Sequence, residues 1–196
     1  MSRALCPRCE RPLRTCLCQW IRPCANQMPV LILQHPDETR EAKNSATLLQ
    51  LSLTHCERQV GEHWPPETLE EILGAPEDNL LLYPDTWAAG TQTSPTLTPE
   101  AIDTASRRLV VIDATWRKSR KMLHLNPALQ TLPRLALADT PPSRYRIRRA
   151  QKPGQLSTLE ASCYALARLE REPIDYEPLL EAFDGFNDQQ LAFRPK

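Results

Sequence analysis

An α/β domain on a largely parallel central sheet is what this sequence predicts, and three observations predict it. Apolar runs at 29–34, 79–83 and 108–112 alternate with segments of three- and four-residue apolar spacing, the order of strand and helix a parallel sheet requires. Each run is apolar on consecutive residues and reads as a buried strand. The third, Leu109-Val110-Val111-Ile112, runs into Asp113-Ala114-Thr115-Trp116 and then a basic segment. An acid placed where a buried strand stops is where α/β enzymes keep their chemistry.

Residues 1–24 are cysteine-rich and basic and lack the apolar periodicity of a core, so they need an external staple. Cys6-x-x-Cys9 and Cys16-x-Cys18 bring four thiolates within 13 residues. That set satisfies a tetrahedral structural zinc ion without histidine, with Cys24 as an alternative to Cys18 for the fourth ligand. Free or redox-active cysteines are the competing reading, and the spacing fits none of the common iron–sulfur patterns. Arg3, Arg8, Arg11, Arg14 and Arg22 interleave the cysteines, giving a positive module that either grips RNA or packs against the core. The chain therefore divides into a four-cysteine knuckle over 1–26 and an α/β domain over 27–196.

After the strand at 29–34, a helix is expected over 40–53, with Ala42, Ala46, Leu49 and Leu53 on one face. A short strand at 56–60 and a helix opening at Pro65-Pro66 and ending at Gly74 precede the strand at 79–83. The stretch 84–99, rich in threonine, serine and proline, reads as a long loop. Beyond the strand at 108–112 come a basic amphipathic helix over 116–125, a strand candidate at 132–137, the longest helical pattern at 155–170, and a closing helix at 176–193. On the longest pattern Leu159, Cys163, Leu166 and Leu169 share a face.

Lysine plus arginine balance aspartate plus glutamate at 24 each, so any nucleic-acid contact must come from local clusters. Two exist: Arg117, Lys118, Arg120 and Lys121, and Arg144, Arg146, Arg148, Arg149 and Lys152. The alternation of Arg144, Arg146 and Arg148 puts all three on one side of an extended segment; solvated faces are the competing reading of both clusters. No stretch has the length of a membrane span and the N-terminus lacks a signal peptide's apolar core, so a cytoplasmic protein without membrane contact is expected. No obligate protein partner is evident. Seven cysteines argue against a disulfide scaffold in that reducing compartment and for a metal. With five glycines in all, no G-x-G-x-x-G and no P-loop can be written, so ordinary loops must cradle any nucleotide-like ligand.

Asp113 or Thr115 is placed to cap the helix that starts at Trp116, and Ser157-Thr158-Leu159-Glu160 has the form of a capping box. Four blocks carry more than that. Asp113-Ala114-Thr115-Trp116 resembles the Asp-x-Thr-Trp signature of the DTW-domain family, and residues 35–46 (HPDETREAKNSA), 80–84 (LLLYP) and 145–161 (YRIRRAQKPGQLSTLEA) match the same family in the expected order. Ser45 stands where the family usually has threonine.

The resemblance implies a SPOUT-like sheet with a C-terminal trefoil knot, which chain physics alone would never propose. It implies a tRNA-uridine aminocarboxypropyltransferase, moving the 3-amino-3-carboxypropyl group of S-adenosylmethionine to N3 of a tRNA uridine with release of methylthioadenosine. The donor's cradle would be Leu82, Tyr83, Pro84, Asp113, Trp116, Leu156, Ser157, Thr158 and Glu160. Helix capping is an equal reading for Ser157 and Glu160, and a core position for Trp116. Asp113 is the candidate to accept the N3 proton or to orient the uracil. His35, Arg117, Lys118, Arg144, Arg146, Arg148 and Lys152 would contact RNA, and the zinc at Cys6, Cys9, Cys16 and Cys18 would be structural. A SPOUT-type RNA methyltransferase shares the donor but yields S-adenosylhomocysteine. A non-catalytic zinc-stabilised RNA-binding module would leave Asp113 dispensable.

Overall fold

The computed structural model describes residues 4–84, 96–97, 102, 107–144 and 156–193. Among these, six strands form one all-parallel sheet in the order β2-β1-β5-β3-β6-β4. They are β1 (Val30–Gln34), β2 (Cys56–Val60), β3 (Asn79–Leu82), β4 (Thr96–Leu97), β5 (Arg108–Asp113) and β6 (Arg134–Leu135). The helices are α1 (Ala46–Ser52), α2 (Pro66–Leu73), α3 (Trp116–Leu125), α4 (Pro127–Thr131), α5 (Thr158–Leu169) and α6 (Glu177–Ala192).

The central strands are apolar on consecutive residues between their polar ends, because both faces of the sheet are covered. Val30, Ile32, Leu80, Leu109 and Val111 point to one side and pack with α1, α5 and α6. Their neighbours Leu31, Leu33, Leu81 and Val110 point to the other and pack with α2, α3 and α4. The period-two alternation of strand side chains thus builds two cores from one set of apolar runs. Since every strand runs the same way, Gln34, Leu82, Asp113 and Leu135 all come out at one end. Among the described residues no helix is long and apolar enough to cross a membrane.

Several boundaries differ from the sequence pattern for local reasons. The helix expected over 40–53 begins only at Ala46, because Asn44 Oδ1 accepts the Thr47 amide at 3.0 Å and diverts the preceding residues into turns. The strand expected at 132–137 shortens to Arg134–Leu135, and the helix expected at 155–170 opens at Thr158 because Ser157 caps it. Within the long loop at 84–99, Thr96–Leu97 adds an edge strand beside β6. The helix at Pro66–Leu73 stops at Gly74, whose φ of 63° is the left-handed conformation glycine adopts without strain.

The cysteine-rich segment packs onto the first core rather than standing apart from it. Leu17 and Ile21 are buried in that core beside Phe183 and Phe186. Trp20 lies so close to α6 that a Cβ on Gly185 would fall 2.1 Å from its Cζ3. The Trp20 indole N–H donates to Gln189 Oε1 at 2.5 Å, and Gln189 Nε2 donates to the Cys16 carbonyl at 3.2 Å.

Candidate active site

At the carboxyl ends of the strands lies a cavity of about 720 Å³, lined from the ends of β3, β5 and β6, the turns before α1, and the first turns of α3 and α5. Parallel α/β sheets bind ligands at this end, where successive connections leave in opposite directions. Here the chain passes from β1 outward to β2 on one side of β5, then returns to β3 on the other.

Asp113 is the last residue of β5 and is 7% exposed. Its Oδ2 accepts Gln34 Nε2–H at 2.8 Å and Asn44 Nδ2–H at 2.9 Å; its Oδ1 accepts the Thr158 hydroxyl at 2.7 Å. The carboxylate therefore joins β1, the turns before α1, and the start of α5. Both amides are locked in orientation. Gln34 Oε1 accepts from Arg58 at 3.3 Å and Asn44 Oδ1 accepts the Thr47 amide, so each turns its NH₂ toward Asp113. With one described donor on Oδ1 against two on Oδ2, Oδ1 keeps acceptor capacity, and Asp113 lines the cavity.

Thr115, not Asp113, caps α3: its hydroxyl accepts the Lys118 amide at 3.3 Å. Trp116 follows with 39% of its surface exposed, so it is not a core residue; its ring meets Tyr83 edge-on at 5.9 Å between centroids. Tyr83 shares a hydrogen bond of 3.0 Å with the Ser119 hydroxyl, and burial raises its phenol pKa. Lys118 Nζ pairs with Glu38 at 3.0 Å and Asp37 at 3.2 Å. Burial opposes its charge, but those two carboxylates outweigh it and raise the ammonium pKa.

At the start of α5 Ser157 and Glu160 form the full capping box. Glu160 is wholly buried and does more than cap. Its oxygens accept the Ser157 amide at 2.8 Å, the Arg144 amide at 2.6 Å and the Ser143 hydroxyl at 3.0 and 3.1 Å.

The cavity gathers Leu82, Tyr83, Pro84, Asp113, Trp116, Leu156, Ser157 and Thr158 from the residues expected around a donor. Glu160 stands behind that lining and holds the chain at 143–144. Of the residues expected to meet RNA, Arg117 and Lys118 border the cavity, whereas Arg144 is paired with Glu177 at 2.5 Å and Asp184 at 3.4 Å. His35 is buried: Nδ1 accepts the Asp37 amide at 3.1 Å, which leaves Nε2–H to donate to Glu62 at 3.0 Å. Both ring nitrogens are thus engaged within the chain. Arg146, Arg148 and Lys152 lie outside the described residues. Gln34 and Asn44 enter as partners of Asp113 that the residue patterns had not singled out for that role. Gln34 carried a signal, being the lone polar residue of the run Val30–Gln34.

Beside the sheet, the sulfur atoms of Cys6, Cys9, Cys16 and Cys18 all lie within 4.8 Å of one another. Cys6 and Cys18 are 3.6 Å apart and Cys9 and Cys16 3.7 Å. A tetrahedron with metal–sulfur bonds of about 2.3 Å has edges of about 3.8 Å, so the set fits one ion. Amides of Cys9 and Arg8 pull the Cys6 thiol down to about 6, while burial and the neighbouring thiols push Cys18 up to about 12, so four thiols this close do not all ionise without a cation among them. Cys24 is not part of the set: it is buried in the core and its thiol donates to the Arg22 carbonyl.

These features define a parallel α/β domain with a cleft at its strand ends and a four-cysteine cluster packed beside it. Residues 3–191 match the model of the DTW domain, and the chain belongs to the DTW-domain family. It is 34% identical over 181 residues to tRNA-uridine aminocarboxypropyltransferase 2 of Drosophila melanogaster, covering 87% of this chain and 68% of the relative. It is 28% identical over 195 residues to the protein of that name from Mus musculus, covering 96% and 64%. To tRNA-uridine aminocarboxypropyltransferase A of Arabidopsis thaliana it is 28% identical over 141 residues, covering 62% and 50%. The chain thus spans about two thirds of the fly and mouse relatives and half of the plant one. No solved structure matches it.

Proposed function

We propose that the chain is a tRNA-uridine aminocarboxypropyltransferase whose transfer site is the strand-end cavity. The observation that carries the reading is Asp113: a nearly buried carboxylate, oriented by three side-chain donors, in the family signature that lines the cavity. In the reaction the N3 of uridine takes the donor's γ-carbon, the carbon–sulfur bond breaks, and methylthioadenosine leaves as a neutral thioether. The N3 proton is lost in that step, and a fixed carboxylate is the group to accept or orient it. Because Gln34, Asn44 and Thr158 already engage Asp113, its role is to hold the uracil edge at a set place through the remaining capacity of Oδ1.

S-Adenosylmethionine occupies the cavity against Leu82, Tyr83, Pro84, Trp116, Leu156, Ser157 and Thr158. The exposed face of Trp116 offers a surface for an aromatic base. The amides at the helix starts suit the donor's carboxylate. The tRNA approaches over Arg117 and Lys118, with Arg146, Arg148 and Lys152 assigned to the same surface. Zinc is held by Cys6, Cys9, Cys16 and Cys18 in a closed, structural site; it supplies folding energy to a segment with little core of its own. The same reading divides the chain at 26/27, includes the SPOUT-like trefoil knot, and places the protein in the cytoplasm, where cysteines outside disulfides stay reduced.

Incubation of the purified protein with S-adenosylmethionine and unmodified tRNA tests this directly. Formation of methylthioadenosine and of aminocarboxypropyluridine in the digested tRNA is expected. S-Adenosylhomocysteine with methylated tRNA would make it a methyltransferase, and tRNA binding without turnover would reduce it to a binding module.

A further inference from the structure

One side chain bridges the cysteine cluster and the cavity. Arg11 follows Cys9 by two residues, and its carbonyl accepts the Cys6 amide at 2.7 Å, so the cysteine turn fixes its backbone. Its guanidinium leaves the turn and donates from Nη1 to the Ala42 carbonyl at 2.6 Å and from Nη2 to the Asn44 carbonyl at 3.0 Å. The face of Phe186, 5.1 Å from the guanidinium carbon, sets the plane of that fork.

The segment it reaches is built of turns and lies beside the reacting centre. Glu41, Lys43, Asn44 and Ser45 line the cavity, and Asn44 Nδ2 donates to both Asp113 Oδ2 at 2.9 Å and the Glu38 carbonyl at 2.9 Å. A segment outside any helix or strand opens easily unless something external holds it. A planar fork with two parallel donors can hold two carbonyls at once, which the single ammonium of lysine cannot reproduce.

We propose that Arg11 is a positioning residue: the metal-loaded cysteine turn fixes Arg11, Arg11 fixes the backbone at 42–44, and that backbone aims Asn44 at Asp113. Metal occupancy is then felt at the transfer site as well as in the turn that binds the ion. The catalytic consequence rests on the function proposed above; the structural one does not.

The test compares metal-loaded wild type, Arg11→Ala, Arg11→Lys and Arg14→Ala by metal content, by amide hydrogen exchange across 41–47, and by kcat and donor KM. Arg14 is the control, since it belongs to the same turn but lies over Phe193 instead, 5.6 Å from the ring centroid. Arg11→Ala should keep its metal, exchange about tenfold or more faster across 41–47, and lose a similar factor in kcat/KM. Arg11→Lys should fall between it and wild type, and Arg14→Ala should exchange across 41–47 as wild type does. Stripping the metal from wild type with a chelator should reproduce the faster exchange at 41–47.

Wild-type exchange at 41–47 in metal-loaded Arg11→Ala would overturn the proposal. If that variant loses its metal or fails to fold, Arg11→Lys decides: faster exchange at 41–47 with metal retained supports the strut, and unchanged exchange overturns it. If wild type shows no transfer at all, the functional reading falls while the exchange result still stands.

Discussion

Two buried carboxylates near the start of α5 are held in opposite ways. Asp113 accepts from three described side chains and lines the cavity. Glu160 accepts from two backbone amides and a hydroxyl and stands behind the lining. Side-chain donors orient an acid while leaving it open to a ligand; backbone donors make the acid part of the frame. Replacing each by its amide separates the two roles, because a hydroxyl can reverse its hydrogen bond and a backbone N–H cannot.

The largest effect is expected for Asp113→Asn. Its carbonyl can keep Gln34 and Asn44, and its NH₂ can turn to Thr158, whose hydroxyl then accepts. Stability should stay within about 1 kcal/mol of wild type. Activity should fall on the order of a hundredfold, because the negative charge beside N3 is gone. Steady-state kinetics and thermal unfolding on one preparation check both halves. Full activity would remove Asp113 from the chemistry, and a collapsed melting temperature would place it in the frame with Glu160.

Glu160→Gln should give the reverse pattern. Whichever way the amide lies, its NH₂ meets either the Ser157 or the Arg144 amide, and a buried donor is left unpaired. The cost is about 2 kcal/mol, a fall of roughly 5 °C in Tm at this chain length. Donor KM should rise through loosening at 143–144, with kcat less affected. A thermally silent Glu160→Gln would mean that these hydrogen bonds are not what holds the segment.

This contrast also marks what could be read from the chain. The apolar runs announced the buried strands, because a sheet covered on both faces leaves no room for alternation. The capping motifs were legible because they are local: Thr115 and Ser157 each accept from an amide three residues on. The thiols of Cys6, Cys9, Cys16 and Cys18 could be grouped because all lie within 13 residues of sequence. Partners far apart in sequence could not be read in the same way. Gln34 and Asn44 meet Asp113 across 79 and 69 residues, and Arg11 meets Asn44 across 33. Only the folded sheet brings them together. His35 shows both cases: its bond from the Asp37 amide is local, two residues on, whereas its contact with Glu62 spans 27 residues and only the fold reveals it.

The smallest expected effect refines the Asp113 side of the comparison. Thr158→Val removes the one donor to Oδ1 among the described residues and leaves the two amides on Oδ2. Cavity water can replace the hydroxyl, so stability should change by less than about 1 kcal/mol. The carboxylate nevertheless loses its third fixed point and can swing about the amide pair. A loss in kcat/KM of about five- to tenfold is expected, with Thr158→Ser restoring it because serine carries the same hydroxyl. If valine and serine behaved alike, two amides would suffice to aim Asp113, and the start of α5 would serve the cavity only as a wall.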